Sequence, residues 1–194
     1  MGSSNNGARE RLLETATELF YTYGITATGV DKVVECAGVS KPTLYAYFHS
    51  KDALLAAVLE RRHARRTTAL DTWVQSHGSS PHDRILAVFD WLVEWHSSEE
   101  GVRGCAFVNA AAEVVSPDHP AREVARRHKR WMREYLADLA SEAGYPNPKR
   151  LGSDLMLLMD GANARVTVEG DSTAAKDAKR LAALIIDSYQ EGRA

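Results

Sequence analysis

Apolar residues recur at helical spacing along almost the whole chain, and no stretch alternates between polar and apolar residues as a half-buried strand does. This spacing predicts helices throughout, because side chains three or four positions apart share one face of an α-helix. The first stripe stops at Gly24, a residue type that commonly ends helices. Its apolar members are Leu12, Leu13, Ala16, Leu19, Phe20 and Tyr23.

Proline marks where several later helices begin, since its missing N–H costs nothing in the first turn of a helix. Ser80, Pro81 and Asp83 are predicted to open a fifth helix, Pro120 leads into a seventh, and Asn147 with Pro148 is expected to cap an eighth. Together with the stripes, these positions predict about nine helices with short connections. The sequence therefore predicts an all-α protein.

The segment 28–52 has the layout of a helix-turn-helix, with a short amphipathic helix, a sharp turn at Gly38 and a second short helix from Ser40. Gly38 supplies the backbone freedom of the turn, and Ser40 suits the cap of the second helix. Leu44 and Phe48 are expected in the core. The exposed face then offers side chains able to reach the DNA major groove. They are Lys41, Thr43, Tyr45 and Tyr47.

Bulk charge does not support this interpretation. The formal net charge is -2, and residues 1–52 hold fewer basic than acidic side chains, whereas a DNA-binding domain often carries a basic excess. A DNA-binding hypothesis must therefore rest on where individual charges lie.

Residues from Arg9 to Val58 resemble the tetracycline-repressor (TetR) family of bacterial regulators. The matching residues are Ser40, Lys41, Thr43, Leu44, Tyr45, Tyr47 and Phe48, then Ser50, Lys51, Asp52, Ala53 and Leu54, with Tyr23, Gly24 and Thr28 upstream. Pro42 stands where the family often has glycine, and proline is sterically acceptable in the first turn of a helix. The run 104–113 is similar to the sixth helix of many members.

The resemblance implies a function and an organisation. Residues 1–7 are expected to be disordered, residues 8–52 to form the helix-turn-helix DNA-binding domain, and residues 53–194 to form an effector-binding and dimerisation domain. A dimer would hold two reading helices about 34–36 Å apart on a palindromic operator. Binding of a small effector would release this repressor from DNA, with the fourth helix as the lever.

The resemblance also implies which residues contact DNA. The expected phosphate contacts are Thr28, Tyr47 and Lys51, and the residues expected near base edges are Lys41, Thr43 and Tyr45. Two alternatives stay open, because Thr28 is suited to cap the second helix and Tyr45 to pack across the helix pair.

Aromatic and polar residues in the middle of the chain are candidates for an effector pocket, which is typically apolar with a few polar groups. The candidates are Phe89, Trp91, Trp95, Phe107, Asn109, Glu113, Trp131, Tyr135, Met159 and Asn163. They predict a largely hydrophobic effector, oriented by Asn109, Glu113 or Asn163. The alternative is that the aromatic residues are core and the polar ones are satisfied locally.

The last two helices are the expected dimer interface, by the same resemblance. Its candidate residues are Leu155, Leu158, Ala162, Val166, Leu181, Ile185 and Tyr189. Some of these residues must face the core of the protomer itself, and the sequence pattern does not show which ones face the core and which face a partner.

The sequence gives less support to two other function classes. Glu60 and His63 form a single Glu-x-x-His pair, whereas a di-iron bundle needs two such pairs and two further glutamates, so we expect no enzyme, metal or cofactor. An architectural DNA-binding protein without an effector is the other alternative, and it would bind with little sequence preference. Cys36 and Cys105 are expected to be free thiols, and the lack of a signal peptide or membrane span predicts a cytoplasmic protein.

Overall fold

The computed structural model describes residues 3–191, with the side chains of residues 7–190. Over this part of the chain it contains nine α-helices and no strand, which confirms the predicted all-α fold. The helices are α1 (Ser3–Tyr23), α2 (Val30–Ala37), α3 (Lys41–Phe48), α4 (Lys51–His77), α5 (Pro81–His96), α6 (Ala106–Glu113), α7 (Pro120–Glu142), α8 (Pro148–Glu169) and α9 (Ala174–Glu191).

Helix ends follow the local signals of the sequence, with two differences. Gly24, after α1, has φ +89°, and Ser80 and Asp83 form a reciprocal capping box at the start of α5. Asn147 precedes α8 but makes no side-chain capping bond. The helix α1 starts at Ser3, so the segment 1–7 is helical where the structure describes it; residues 1–2 lie outside the described part.

The chain divides into two compact units, and the division differs from the expected boundary at residue 52. The first unit comprises Met1–Ala64 and Ala106–Arg126, and the second comprises Arg65–Cys105 and Arg127–Ala194. The boundaries fall within α4 and α7, and α6 belongs with the helix-turn-helix.

The core of the first unit is the apolar face of α1 packed against α2 and α3. Arg11 on α1 also donates from Nε to the carbonyl of Ala37 at 3.2 Å, which ties α1 to the last turn of α2. Leu44 and Phe48 are buried, as predicted. The other buried apolar residues of α1 and α2 are Leu12, Leu13, Ala16, Leu19, Phe20, Val33 and Ala37.

The second unit is built on α5, α8 and α9, which pack against one another around one apolar cluster. Burial of large apolar side chains provides its main stabilisation. Phe89, Leu136, Leu155 and Ile186 are completely buried in it. No helix in the described part of the chain is long and apolar enough to cross a membrane.

Candidate nucleic-acid interface and ligand site

The helix-turn-helix forms at the predicted residues. Gly38 takes φ 61° and ψ 42°, the left-handed conformation that glycine adopts most readily, and so reverses the chain between α2 and α3. The Ser40 hydroxyl accepts the backbone N–H of Thr43 at 3.3 Å and caps α3, while Pro42 occupies its first turn. Leu44 then holds the inner face of α3 in the core. The outer face of α3 is left for other contacts.

The outer face of α3 carries four predicted DNA-contacting residues. Lys41 forms an ion pair with Asp31 of α2 at 2.8 Å, and this hydrogen bond and charge raise the pKa of Lys41. The hydroxyl of Thr43 is 2.7 Å from that of Ser40. Tyr45 is exposed, so the alternative that it packs across the helix pair is not what the structure has. Tyr47 is half-buried beside Phe48.

The side chain of Thr28 is buried and has a structural role. Its side chain is only 2% exposed, and its hydroxyl donates to the carbonyl of Gly24 at 2.7 Å, at the end of α1. A hydroxyl has one proton to donate, so the donor that a phosphate contact needs is already used. Thr28 does not cap α2 either, because Gly29 stands at that position. The expected phosphate contact by Thr28 is therefore not retained.

Lys51, in the first turn of α4, is half-buried and donates from Nζ to the carbonyl of Ile25 at 2.6 Å. The ammonium also lies 6.0 Å from the ring centre of Phe20. An ammonium has three protons, so the bond to Ile25 leaves donors for a phosphate oxygen. We name residues 24–29 the α1–α2 turn, and Lys51 links this turn to α4.

Glu113, at the end of α6, is bound to the same turn. Its Oε2 accepts the backbone N–H groups of Ile25 at 2.7 Å and Thr26 at 2.9 Å. The sequence analysis names Glu113 as a polar candidate of the effector pocket, whereas the structure places its carboxylate against this turn. No local signal indicates a contact between residues this far apart in the chain.

His119 is a second residue of the segment 106–126 that sequence reasoning missed. Its Nδ1 accepts the backbone N–H of Ala121 at 3.0 Å, so its Nε2 carries the proton directed at Asp52 of α4, 3.2 Å away. The segment 106–126 thus contacts the α1–α2 turn through Glu113 and the start of α4 through His119.

The effector-pocket candidates do not all lie in one unit. Phe107, Asn109 and Glu113 are on α6 in the first unit, and the other seven are in the second. Phe89, Trp91, Trp95 and Met159 are buried in the core of the second unit, while Trp131 and Tyr135 pack against it with ring centres 5.0 Å apart. The Tyr135 hydroxyl donates to Asp71 at 3.0 Å. Burial is the larger cause that raises the pKa of Tyr135, and this hydrogen bond is the second.

Asn163 is 5% exposed within α8. Its Nδ2 donates to the Met159 carbonyl at 2.8 Å, which fixes the orientation of the amide because a carbonyl only accepts. Its Oδ1 is buried with no hydrogen-bond partner among the described residues. An acceptor in that situation favours a ligand or water that donates to it.

Arg66 and His96 are buried polar residues that the sequence analysis did not single out. Arg66 is 8% exposed, and its guanidinium carbon lies 3.6 Å from the ring centre of Trp95 and 4.9 Å from that of Trp91. His96 follows Trp95 and is 3% exposed. Arg66 lies four residues before Leu70, which is completely buried on the same face of α4.

The predicted dimer residues divide between core and surface. Leu155, Ala162 and Val166 are buried in the core of the protomer, and are thus excluded from a surface contact. Leu158, Ile185 and Tyr189 are partly buried against that core, and Leu181 is exposed. Other small or apolar residues of α8 and α9 are exposed instead: Leu157, Gly161, Ala164, Val168 and Leu184.

Two family descriptions match the sequence. Residues 12–58 match the bacterial regulatory proteins of the tetR family. Residues 81–182, more than half of the chain, match the tetracyclin repressor-like C-terminal domain.

Relatives match over nearly the full chain. The HTH-type transcriptional repressor NemR of Escherichia coli (strain K12) is 29% identical over 173 residues, covering 85% of this chain and 86% of NemR. The structure of a TetR-type regulator from Streptomyces avermitilis is similar with a TM-score of 0.82 and 32% identity, covering 94% of this chain and 98% of that one. A TetR-family regulator from Streptomyces coelicolor gives a TM-score of 0.86 and 30% identity, covering 95% and 96%.

The helix-turn-helix, the all-helical second unit and these matches agree. The chain belongs to the TetR family of bacterial transcriptional regulators and is a DNA-binding regulator of transcription.

Proposed function

We propose that this chain is a homodimeric repressor that binds a palindromic operator and leaves it when a small, largely apolar effector binds. The observation that carries the proposal is the outer face of α3. There Lys41 and Tyr45 are exposed while Leu44 and Phe48 anchor the helix from behind. A rigidly held helix with exposed polar side chains suits reading of the major groove.

The proposed DNA contacts follow from this face. Lys41, Thr43 and Tyr45 are assigned to base edges, and Tyr47 and Lys51 to phosphates. Asp31 holds Lys41 in the DNA-free protein, and we propose that Lys41 exchanges this ion pair for a contact with a base when DNA binds. This exchange favours specificity over affinity, because a base that does not accept from Lys41 leaves the ion pair with Asp31 intact.

A second copy of the chain is the proposed occupant of the exposed face of α8 and α9. Leu157, Gly161, Ala164 and Val168 lie at spacings of three and four residues and so share one face of α8. Gly161 has open space where a side chain would stand, which permits close approach of a second helix. An exposed apolar stripe of this kind is typical of a protein interface.

The effector is assigned to the second unit, where Phe89, Trp91, Trp95, Trp131, Tyr135, Met159 and Asn163 supply aromatic, apolar and polar groups. Asn163 offers the buried acceptor Oδ1. The segment 106–126 of the first unit is joined directly to second-unit residues at both ends. A ligand-induced shift there would therefore act on Glu113 and His119, and through them on the α1–α2 turn and α4.

Selection from a random duplex library by the purified protein tests the proposal. We expect enrichment of a palindrome with half-sites about one helical turn apart, bound far better than random DNA. Screening small apolar compounds against the selected duplex should then find some that release it. An architectural protein would instead enrich no sequence, and that result would reject the repressor function.

A further inference from the structure

An acidic side chain lies beside the outer face of α3, where a carboxylate would meet the negative phosphates of bound DNA. Asp31 is the second residue of α2, and its carboxylate is 2.8 Å from the ammonium of Lys41, the first residue of α3. A negative charge in the first turn of α2 suits the positive end of the helix dipole, which helps to keep Asp31 in place. We name these two residues the Lys41–Asp31 pair.

Both side chains of the Lys41–Asp31 pair are open to a large partner. The side chain of Asp31 is 82% exposed and that of Lys41 is 49% exposed. The hydrogen bond and charge of Asp31 raise the pKa of Lys41, and the nearby Tyr45 adds a smaller electrostatic contribution. The pair therefore belongs to the same surface as Tyr45, which is itself exposed and assigned to base edges.

Phosphate groups alone cannot satisfy the Lys41–Asp31 pair. Phosphate oxygens are negatively charged acceptors, so they attract the ammonium of Lys41 but repel the carboxylate of Asp31. The two charges of the pair also cancel, so the pair as a whole gains little from the phosphate backbone. The major-groove edge of a base pair is different, because it offers hydrogen-bond donors next to acceptors. The pair is therefore suited to contact a base edge.

One G·C base pair provides partners for both side chains. Guanine presents the acceptors O6 and N7, and the cytosine amino group N4 is a donor beside O6. Guanine O6 and cytosine N4 are hydrogen-bonded to each other and are therefore about 2.9 Å apart. This spacing is close to the 2.8 Å between the Lys41 ammonium and the Asp31 carboxylate. The two side chains can thus exchange their mutual bond for bonds to the base pair with little movement.

We propose that Lys41 and Asp31 together read one G·C base pair in each operator half-site. Lys41 donates to guanine O6 and N7, and the carboxylate of Asp31 accepts from cytosine N4. Asp31 is thus a specificity-determining residue, although it lies on α2 and carries a charge that phosphates repel. The inference rests on the proposed function, and it narrows the operator to palindromes with a guanine at this position of each half-site.

An A·T base pair fits the Lys41–Asp31 pair less well. Its two acceptors, adenine N7 and thymine O4, lie on either side of the adenine amino group. If Asp31 accepts from that amino group, the ammonium of Lys41 reaches one acceptor beside it, whereas guanine offers two. Reversal of the G·C pair is also unfavourable, because it places an amino group where Lys41 needs an acceptor. Both changes should therefore weaken binding.

Base analogues in the selected operator test the two contacts separately. Pyrimidin-2-one in place of cytosine deletes the N4 amino group, and 7-deazaguanine in place of guanine deletes the N7 acceptor. Inosine in place of guanine is the control for a weakened base pair, because it loses one base-pairing hydrogen bond but keeps O6, N7 and the partner N4. Each G·C pair is substituted in turn, in both half-sites at once, and binding of the purified protein is measured by fluorescence anisotropy.

The wild type should respond to two of these analogues at one G·C position. There we expect pyrimidin-2-one and 7-deazaguanine each to weaken binding by about tenfold or more, and inosine by about twofold or less. In Asp31→Ala, the loss caused by pyrimidin-2-one should fall to about twofold, while the loss caused by 7-deazaguanine remains. Lys41→Met should show the reverse pattern. Alanine is chosen for Asp31 because Asp31→Asn would keep an acceptor oxygen.

Glu35→Ala is the matched control, because Glu35 is another exposed acid of α2 that forms an ion pair, with Lys32 at 3.8 Å. It should keep the wild-type pattern. Three results would overturn the assignment: half-sites without a G·C pair, equal losses with pyrimidin-2-one and inosine at every position, or an unchanged loss with pyrimidin-2-one in Asp31→Ala. With a selected palindrome in hand, each of these rejects only the role of the Lys41–Asp31 pair. Selection of no palindrome would reject the repressor function itself.

Discussion

Glu113 and Ile25 are separated by 88 positions in the chain, yet the carboxylate of Glu113 accepts the backbone N–H of Ile25 at 2.7 Å. The same oxygen accepts the N–H of Thr26, and the carbonyl of Ile25 accepts the Lys51 ammonium. The α1–α2 turn is therefore held from α6 on one side and from α4 on the other. Because α2 starts directly after this turn, the two side chains hold the segment from which the helix-turn-helix begins.

Removal of the Glu113 carboxylate should loosen the α1–α2 turn. Hydrogen bonds to a charged acceptor contribute more than neutral ones, but Glu113 is exposed, so we expect Glu113→Ala to cost about 1 kcal/mol of operator binding, or about fivefold in affinity. Fluorescence anisotropy with the selected operator measures the change. Glu18→Ala, which removes an exposed glutamate of α1, should bind as the wild type does. Equal affinities for all three proteins would show that Glu113 does not position the turn.

The ion pair between Asp31 and Lys41 predicts opposite effects of its two partners. Asp31→Asn should strengthen operator binding by about threefold, because Lys41 is released and a negative charge near the phosphates is removed. Lys41→Met should weaken binding and relax specificity at one base position. Adding Asp31→Asn to the Lys41→Met variant should strengthen operator binding by less than Asp31→Asn does in the wild-type protein. If the two effects simply add in a double-mutant cycle, Asp31 does not restrain Lys41.

Local signals in the sequence were sufficient for the helices and their ends. Gly24, Gly38, Ser40 and the pair around Pro81 act within a few residues of themselves, and each was predicted correctly. The family resemblance placed the helix-turn-helix for the same reason, since its pattern lies within one short segment.

Contacts between distant segments could not be predicted in this way. Thr28 and Glu113 were assigned to ligands because their partners, in α1 and in the α1–α2 turn, are set only by the fold. Leu155 and Leu157 are both apolar residues of α8, but one is buried and the other exposed. The sequence did contain a signal that Arg66 is buried. Leu70 follows Arg66 by four residues on the same face of α4, and Leu70 is completely buried.

Lys51 should contribute to the salt dependence of operator binding. A phosphate contact releases about one counterion, so Lys51→Met should reduce the slope of log affinity against log salt by about 1. Binding to random DNA should weaken too, because phosphates carry no sequence information. Lys176→Met, at an exposed position of α9, serves as the control and should leave the slope unchanged. A wild-type slope in Lys51→Met would limit Lys51 to its bond with Ile25.

His96 predicts a pH dependence of stability. Burial lowers the pKa of His96 in the folded protein below its ordinary value of 6.5, so the unfolded chain binds a proton more readily. Its contribution is therefore fully present above about pH 6.5 and is lost as the pH falls from there towards the folded-state pKa. Thermal midpoints between pH 7.5 and 5 should decline less steeply for His96→Gln than for the wild type. His77→Gln, at the exposed end of α4, should follow the wild-type curve, and a His96→Gln curve parallel to it would contradict the prediction.

The exposed face of α8 predicts a separation between oligomeric state and stability. Leu157→Arg places a buried charge in the proposed interface, so the variant should sediment as a monomer at concentrations where the wild type is a dimer. Its protomer should remain folded, because Leu157 is exposed in the isolated chain. Leu155→Ala should do the reverse: it removes a completely buried side chain, costs about 2–5 kcal/mol of unfolding free energy, and leaves the surface of α8 unchanged. Val115 is an exposed apolar residue outside α8 and α9, so Val115→Arg is the control for adding charge to a surface.

A dimeric Leu157→Arg would exclude this face of α8 from the interface. If Leu157→Arg is monomeric and is the one variant of the set that loses operator binding, then pairing through α8 and α9 is needed to read two half-sites. The reason is that a monomer holds only one α3.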